Sequence, residues 1–341
     1  MEGHRVVVIE GSFGIDQVQV RHRDTPECEP GEALVRIHAA SLNFRDYLVA
    51  AGRYNPRMPL PRVLFSDGAG EVTAVGPGVT RVKPGDRVAG IFHQTWIDGE
   101  YEESHGKSSL GGAIDGVLAD NVIFPESGLV HIPPNLSYQE ASTLPCAAVT
   151  AWNALITQGR LKAGDSVLVL GTGGVSIFAL QFAKMNGARA IVTSSSDEKL
   201  ALARRLGADE TINYKQTPDW DKAVRNLTGG LGVDHVMEVG GTGTLARSLK
   251  AVRAHGRVNI IGVLDGIAGE VNIAPIFAKH LAVQGIYVGS RTMFEAMNRA
   301  IALHDLHPVI ARVFKMEQIR DALRYMESGA HSGKIVIDLE G

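Results

Sequence analysis

The stretch Val167-Leu168-Val169-Leu170-Gly171-Thr172-Gly173-Gly174-Val175-Ser176 decides the fold. Four consecutive apolar residues ending at a glycine read as a strand covered on both faces. Gly171 permits a tight strand-to-helix turn, and Gly173 lets the backbone approach a pyrophosphate, whose charge the amides and dipole of the next helix stabilise. Thr172, Gly174 and Val175 complete the loop. Ser176 stands where the third glycine of G-x-G-x-x-G would be, and a small residue there still allows close helix–strand packing.

Outward from this loop, apolar runs alternate with helical patterns. Strands are predicted at 166–170, 190–194, 210–213, 233–239, 257–261 and 281–288, and helices at 175–186, 197–206, 219–227, 245–253 and 275–280. That alternation predicts a doubly wound parallel sheet with helices on both faces, the Rossmann arrangement of a dinucleotide-binding unit. Upstream the rhythm is different. Short β segments at 5–10, 17–21, 33–38 and 70–75 are separated by Gly/Pro turns, and 93–116 reads as a long polar surface loop. Downstream, a helix over 293–303 and a strand over 334–339 are expected to rejoin the N-terminal part. The expected division is 1–150, 151–288 and a returning 289–341.

Composition excludes several classes. The formal net charge is −3 with Lys and Arg scattered, which argues against nucleic acid or an anionic membrane as partner. No stretch approaches the roughly 18 apolar residues of a membrane helix, and the N-terminal run is too short for a signal-peptide core. Two cysteines, Cys28 and Cys146, provide no disulfide framework, so a cytoplasmic location is expected.

The second strand discriminates between nicotinamide cofactors. An NAD site places a carboxylate there, about 20 residues beyond the glycines, for the ribose 2′-hydroxyl. Here the tip is Thr193-Ser194-Ser195-Ser196, whose hydroxyls can donate to a 2′-phosphate without repelling it. Asp197 and Glu198 read as first-turn helix residues, with Ser195 and Glu198 at capping-box spacing, and Lys199 is placed to face the phosphate. NADPH is the expected cofactor.

Further motifs extend over the whole chain: Ala39-Ala40-Ser41-Leu42-Asn43-Phe44-Arg45-Asp46, Gly68-Ala69-Gly70-Glu71-Val72, Gly85-Asp86-Arg87-Val88, Ala141-Ser142-Thr143-Leu144-Pro145-Cys146 and Gly207-Ala208-Asp209. In this order the sequence resembles the medium-chain dehydrogenase/reductase superfamily, and most its zinc-free quinone oxidoreductase branch. The resemblance implies a mainly β GroES-like catalytic domain beside the Rossmann domain, and a homodimer paired through the sixth strand. It also implies that Lys199 and Tyr214 join the 2′-phosphate pocket, that Thr150 lies against the nicotinamide, and that Lys334 reaches the pyrophosphate. Gly262 and Val263 after the fifth strand, and Tyr287 and Val288 after the sixth, occupy edges where the nicotinamide end would lie.

Zinc-bearing relatives hold the metal with a Cys, a His and a second Cys. The matching positions here are Asn43, Ser66 and Cys146, and the 93–116 segment lacks the four cysteines of a structural zinc lobe. A catalytic zinc needs about three Cys, His or carboxylate ligands, so no metal is expected. Cys146 reads as a buried small residue, and His93 and His105 as surface histidines. The catalytic candidates surround the vacated position: Asn43 as donor to a substrate oxygen, Tyr54 as pocket wall or proton donor, and Asp46, Ser66 and Asp67 near it. Tyr47 is a second tyrosine one position out of register. Without a Lewis acid, acceptors that take hydride readily suit such a site, namely quinones and α,β-unsaturated carbonyls. The competing expectations are a zinc-free alcohol dehydrogenase or aldehyde/ketone reductase, an enoyl-thioester reductase, and a non-catalytic NADPH-binding protein.

Overall fold

The computed structural model describes residues 3–340. The chain divides into two compact units, one formed by residues up to Val149 together with those from Val288 onward, the other by Thr150–Tyr287.

The Thr150–Tyr287 unit is built on six parallel strands. Their order across the sheet is Glu210–Asn213, Arg189–Ser194, Ser166–Leu170, Val233–Glu238, Val252–Ile260 and Ala282–Gly285. The third, second and first strands in the chain thus precede the fourth, fifth and sixth, and the order reverses beside Ser166–Leu170, where nucleotides bind in such sheets. The first strand is apolar throughout because both its faces are covered: Val167, Leu168 and Val169 have no exposed surface. Helices Gly174–Met185, Asp197–Arg205, Trp220–Leu227 and Thr242–Ala251 connect the strands. The sixth strand covers Ala282–Gly285, four residues shorter than the apolar run 281–288 suggests; its last ladder bond runs from the Ile286 N–H to the Ile260 carbonyl at 2.9 Å.

The other unit carries a seven-stranded sheet, in which Lys334–Asp338 lies between Ile310–Lys315 and Glu32–Leu42, and Asp67–Val75 follows. A small three-stranded sheet of Val18–Arg23, His4–Ile9 and Arg62–Val63 accompanies it. Val35, Ile37, Leu42, Val72, Phe124, Ile335 and Ile337 form its core, each such burial worth about 1.5–3 kcal/mol. Two registers position the site. Ile335 pairs with Leu42, and Ser41 pairs with Asp67, so the end of Glu32–Leu42 is flanked by Lys334 on one side and by Ser66-Asp67 on the other.

The 93–116 segment is a loop exposed at 98–104 and 113–115, as its polarity suggests, but it is anchored more deeply than expected. His93, Gln94, Trp96, Ser108, Ser109 and Leu110 are buried, and a 3-10 turn spans Glu103–Ser108. Aromatic packing is the reason: the ring of His93 lies 4.7 Å from Phe92 and 5.5 Å from Tyr101, and Trp96 lies 5.1 Å from Tyr101. Gly116 follows, where a Cβ would fall 2.1 Å from the Phe65 carbonyl oxygen, so only glycine lets the chain cross there. No described helix is long and apolar enough to cross a membrane.

Candidate active site

Asn43 ends the central strand and starts helix Phe44–Ala50, with its backbone N–H donating to the Asp46 carboxylate at 2.8 Å. Its side-chain oxygen accepts from the Lys334 ammonium, which also donates to the Leu42 carbonyl at 2.9 Å. Its Nδ2 lies 3.4 Å from Ser66 Oγ, and Ser66 donates to Asp67 Oδ1 at 2.6 Å. The second Asp67 oxygen accepts the Cys146 N–H at 3.0 Å. Ser66, Asp67, Asp46 and Lys334 are buried, while Asn43 retains 8% of its surface. Phe65, immediately before, has φ +71°, a left-handed conformation costing a non-glycine residue about 1–3 kcal/mol and typical of functional positions. Backbone bonds from Val117 to the Phe65 carbonyl and from Leu118 to Leu64 hold it there.

The electrostatics follow from burial. Desolvation raises the Asp46 carboxyl to about 6, against the pull of the Arg45 guanidinium. Asp67 is raised by the same cause, opposed by Lys334 and by its hydrogen bonds from Ser66 and Asn43. Burial, then the nearby Asp67 charge, pushes the Cys146 thiol up, so it stays protonated. Arg45 donates to the Leu110 carbonyl and lies 3.4 Å from Asp46, with its guanidinium 4.4 Å from the Phe92 ring centre and 5.6 Å from that of Tyr54.

The structure therefore brings together Asn43, Asp46, Ser66 and Asp67, with Tyr54 attached through Arg45. Tyr47 turns away, donating to Glu327 at 2.6 Å. Lys334, expected to reach the pyrophosphate, is buried, and its ammonium donates to the Leu42 carbonyl and to Asn43. His93 corrects the reading of a surface histidine: it is a buried neutral imidazole, held down to about 4 first by desolvation and then by Arg45. Cys146 is half-buried as a residue, with its thiol in the buried surroundings that keep it protonated.

In the other unit Gly171 has φ +73° and its N–H donates to the Thr193 carbonyl at 2.8 Å, fixing the turn. Ser176 Oγ donates to the Leu170 carbonyl at 2.7 Å, so the residue replacing the third glycine itself ties helix to strand. Gly173 caps helix Gly174–Met185 without a side-chain bond to its amides, and a Cβ on Gly173 would meet nothing within 4 Å. Such a terminus fits a phosphate. Thr172, Gly174 and Val175 follow the same turn.

At the second strand tip Ser194 is buried and Ser195 half-buried. The helix cap lies one residue later than expected: Ser196, not Ser195, accepts the Lys199 N–H at 3.5 Å. Asp197 is held from the neighbouring strand, accepting from Asn213 at 2.8 Å and Gln216 at 3.0 Å. Burial lowers the Lys199 pKa, against the pull of Glu198. Tyr214 is exposed, with its N–H donating to the Ser194 carbonyl at 3.0 Å, so both sit at one tip. Gly262 donates to the Glu238 carbonyl at 3.2 Å, Val263 and Tyr287 are exposed, and Thr150 is buried. Val288, buried with φ +60°, belongs to the other unit. Sequence reasoning missed Glu238. Its buried carboxylate accepts from the amides of Gly240 (2.8 Å) and Gly241 (3.1 Å) and from the hydroxyls of Thr244 and Ser248. An acid ending an apolar strand before two glycines was the available signal.

Comparison with known proteins agrees with this geometry. Residues 29–134 match the family described as the alcohol dehydrogenase GroES-like domain, and 174–302 match zinc-binding dehydrogenase. A zinc-type alcohol dehydrogenase-like protein of Schizosaccharomyces pombe is 43% identical over 98% of this chain and 99% of its own length. Quinone oxidoreductase-like protein 2 of Rattus norvegicus is 29% identical over 91% of this chain and 86% of its own. A crystal structure described as an NAD-dependent alcohol dehydrogenase aligns with a TM-score of 0.90 at 37% identity, covering 98% of this chain and 99% of that one.

Proposed function

The chain belongs to the medium-chain dehydrogenase/reductase superfamily, and on that premise we propose that it is a zinc-independent, NADPH-dependent reductase of quinones or α,β-unsaturated carbonyls. That it is an NAD(P)H-dependent oxidoreductase follows from the family. The observation carrying the finer reading is the Lys334–Asn43–Ser66–Asp67 cluster, in which Asn43 and Ser66 stand where zinc-bearing relatives hold the metal. The donor set does not fit that metal: an amide and a hydroxyl occupy two of the three ligand positions, and the buried Lys334 ammonium on Asn43 would repel a dication. Among the described residues no group of three His, Cys, Asp or Glu side chains could hold a metal ion.

A bound nicotinamide supplies hydride, and the Gly171–Ser176 turn, uncapped helix terminus and strand tip fit its dinucleotide. The related structure is described as NAD-dependent, so the NADP preference rests on Ser194, Ser195, Lys199 and Tyr214. Asn43 Nδ2 donates to the substrate oxygen, on which negative charge develops as hydride adds to the quinone or to the enone β-carbon. The resulting oxyanion or α-carbon then takes a proton from water or from a phenol such as Tyr54. The resemblance and the open edge of strand Ala282–Gly285 support a homodimer, and the two unpaired cysteines support a cytoplasmic location.

The test is NADPH oxidation with 1,4-benzoquinone, 2-cyclohexenone and hexanal in parallel, with and without EDTA. Turnover of quinone or enone that EDTA leaves unchanged is expected. Activity confined to hexanal would establish the alcohol dehydrogenase alternative, and tight NADPH binding without turnover would establish a binding protein. One zinc per chain by elemental analysis, with activity lost to EDTA, sinks zinc independence.

A further inference from the structure

We propose that Lys334 is a positioning residue that sets the direction of the Asn43 amide, so that its N–H end, not its oxygen, is offered to the substrate; this rests on the reductase reading above. The two ends of an asparagine amide are nearly the same size, and only their partners decide which way the group points. An ammonium has donors alone, so the Asn43 atom beside Lys334 has to be Oδ1. The Leu42 carbonyl, 2.9 Å from the same nitrogen, anchors the ammonium in place. Nδ2 is thereby turned toward Ser66 Oγ, 3.4 Å away. Ser66 can accept there, because its own proton goes to Asp67 Oδ1 at 2.6 Å, and the Cys146 N–H holds the other carboxylate oxygen at 3.0 Å.

Polarity thus runs one way along the chain, from Lys334 through Asn43 and Ser66 to Asp67. Nδ2 carries two hydrogens, shared between Ser66 Oγ and the Asp67 carboxylate. A substrate oxygen arriving at Asn43 takes one of them in competition with these partners, and Asn43 keeps 8% of its surface accessible while Ser66 and Asp67 have none. A reversed amide would present a lone pair to the developing oxyanion.

The experiment compares wild type with K334M, K334R, N43A, N43D and the N43A/K334M double variant, measuring kcat and KM with NADPH and 1,4-benzoquinone, and melting temperature. Loss of one oxyanion donor costs about 100-fold or more in rate, so N43A and N43D are expected to lower kcat on that order. K334M is expected to lower kcat about tenfold or more with KM for NADPH unchanged within about twofold, and K334R to recover most of the rate. The double variant should be no slower than N43A, because Lys334 acts only through that amide. Multiplied losses in the double variant overturn the proposal, as does a K334M whose main defect is a raised KM for NADPH. If K334M does not fold, N43D decides, since it keeps the Lys334 contact but removes the donor. Wild-type kcat in folded N43D overturns the proposal. Wild-type protein that turns over none of the acceptors overturns the reductase reading itself, whereas active wild type with multiplied losses overturns the positioning role alone.

Discussion

Asp46 and His93 share one unit, and burial moves both toward their neutral forms, which gives them opposing effects on stability. Asp46 titrates near 6 in the native state against an ordinary value of 3.8. Between those values the native state holds a proton the unfolded chain has lost, so stability falls as pH rises through that window. His93 titrates near 4 against an ordinary 6.5. Between those values the unfolded chain holds the extra proton, and stability falls as pH drops. The two slopes oppose each other over pH 4 to 6 and flatten the wild-type profile. Asp46→Asn removes one of them. In chemical denaturation, the stability difference, wild type minus variant, should be greater at pH 4 than at pH 7 by about 2 kcal/mol. Parallel profiles for the two proteins would refute a raised Asp46.

The strand Arg189–Ser194 is the element on which cofactor choice depends, because its tip presents hydroxyls where an NAD site presents a carboxylate. Ser194→Asp should reduce the NADPH/NADH ratio of kcat/KM by about tenfold or more, the equivalent of about 1.4 kcal/mol. An unchanged ratio would remove Ser194 from the 2′-phosphate pocket. The strands of this unit were legible in sequence because a parallel strand covered on both faces is a continuous apolar run, as in Val167-Leu168-Val169-Leu170. The helix Ile319–Glu327 and the strand Ile310–Lys315 went unread, since the latter exposes much of its length and lacks an apolar run. Asn43, Ser66 and Asp67 were legible through motif resemblance. The role of Lys334 was not, for its partner lies 291 positions away and only strand register joins them. His93 was misread because polar neighbours in sequence concealed an aromatic packing made across the segment.

For the whole molecule, the open edge of Ala282–Gly285 is the feature that bears on assembly. That strand has one neighbour in its sheet, and Phe277 (70% exposed) and Ile273 (63%) stand uncovered in the same unit. Uncovered apolar side chains and an unpaired edge fit pairing with a second copy. Sedimentation at micromolar concentration should give a dimer, and Phe277→Lys should shift it toward monomer by about tenfold or more in dissociation constant. A wild-type monomer would refute the pairing. The chain also leaves the Asn43-bearing unit at Val149 and returns at Val288. During synthesis, the contiguous Thr150–Tyr287 unit has its full sequence first, while the strand that carries Lys334 has yet to be translated. A ribosome-bound nascent chain can thus acquire its nucleotide fold while Asn43 still lacks the cation that orients it. Until translation passes Lys334, the nucleotide unit is complete in sequence while the site proposed around Asn43 is not.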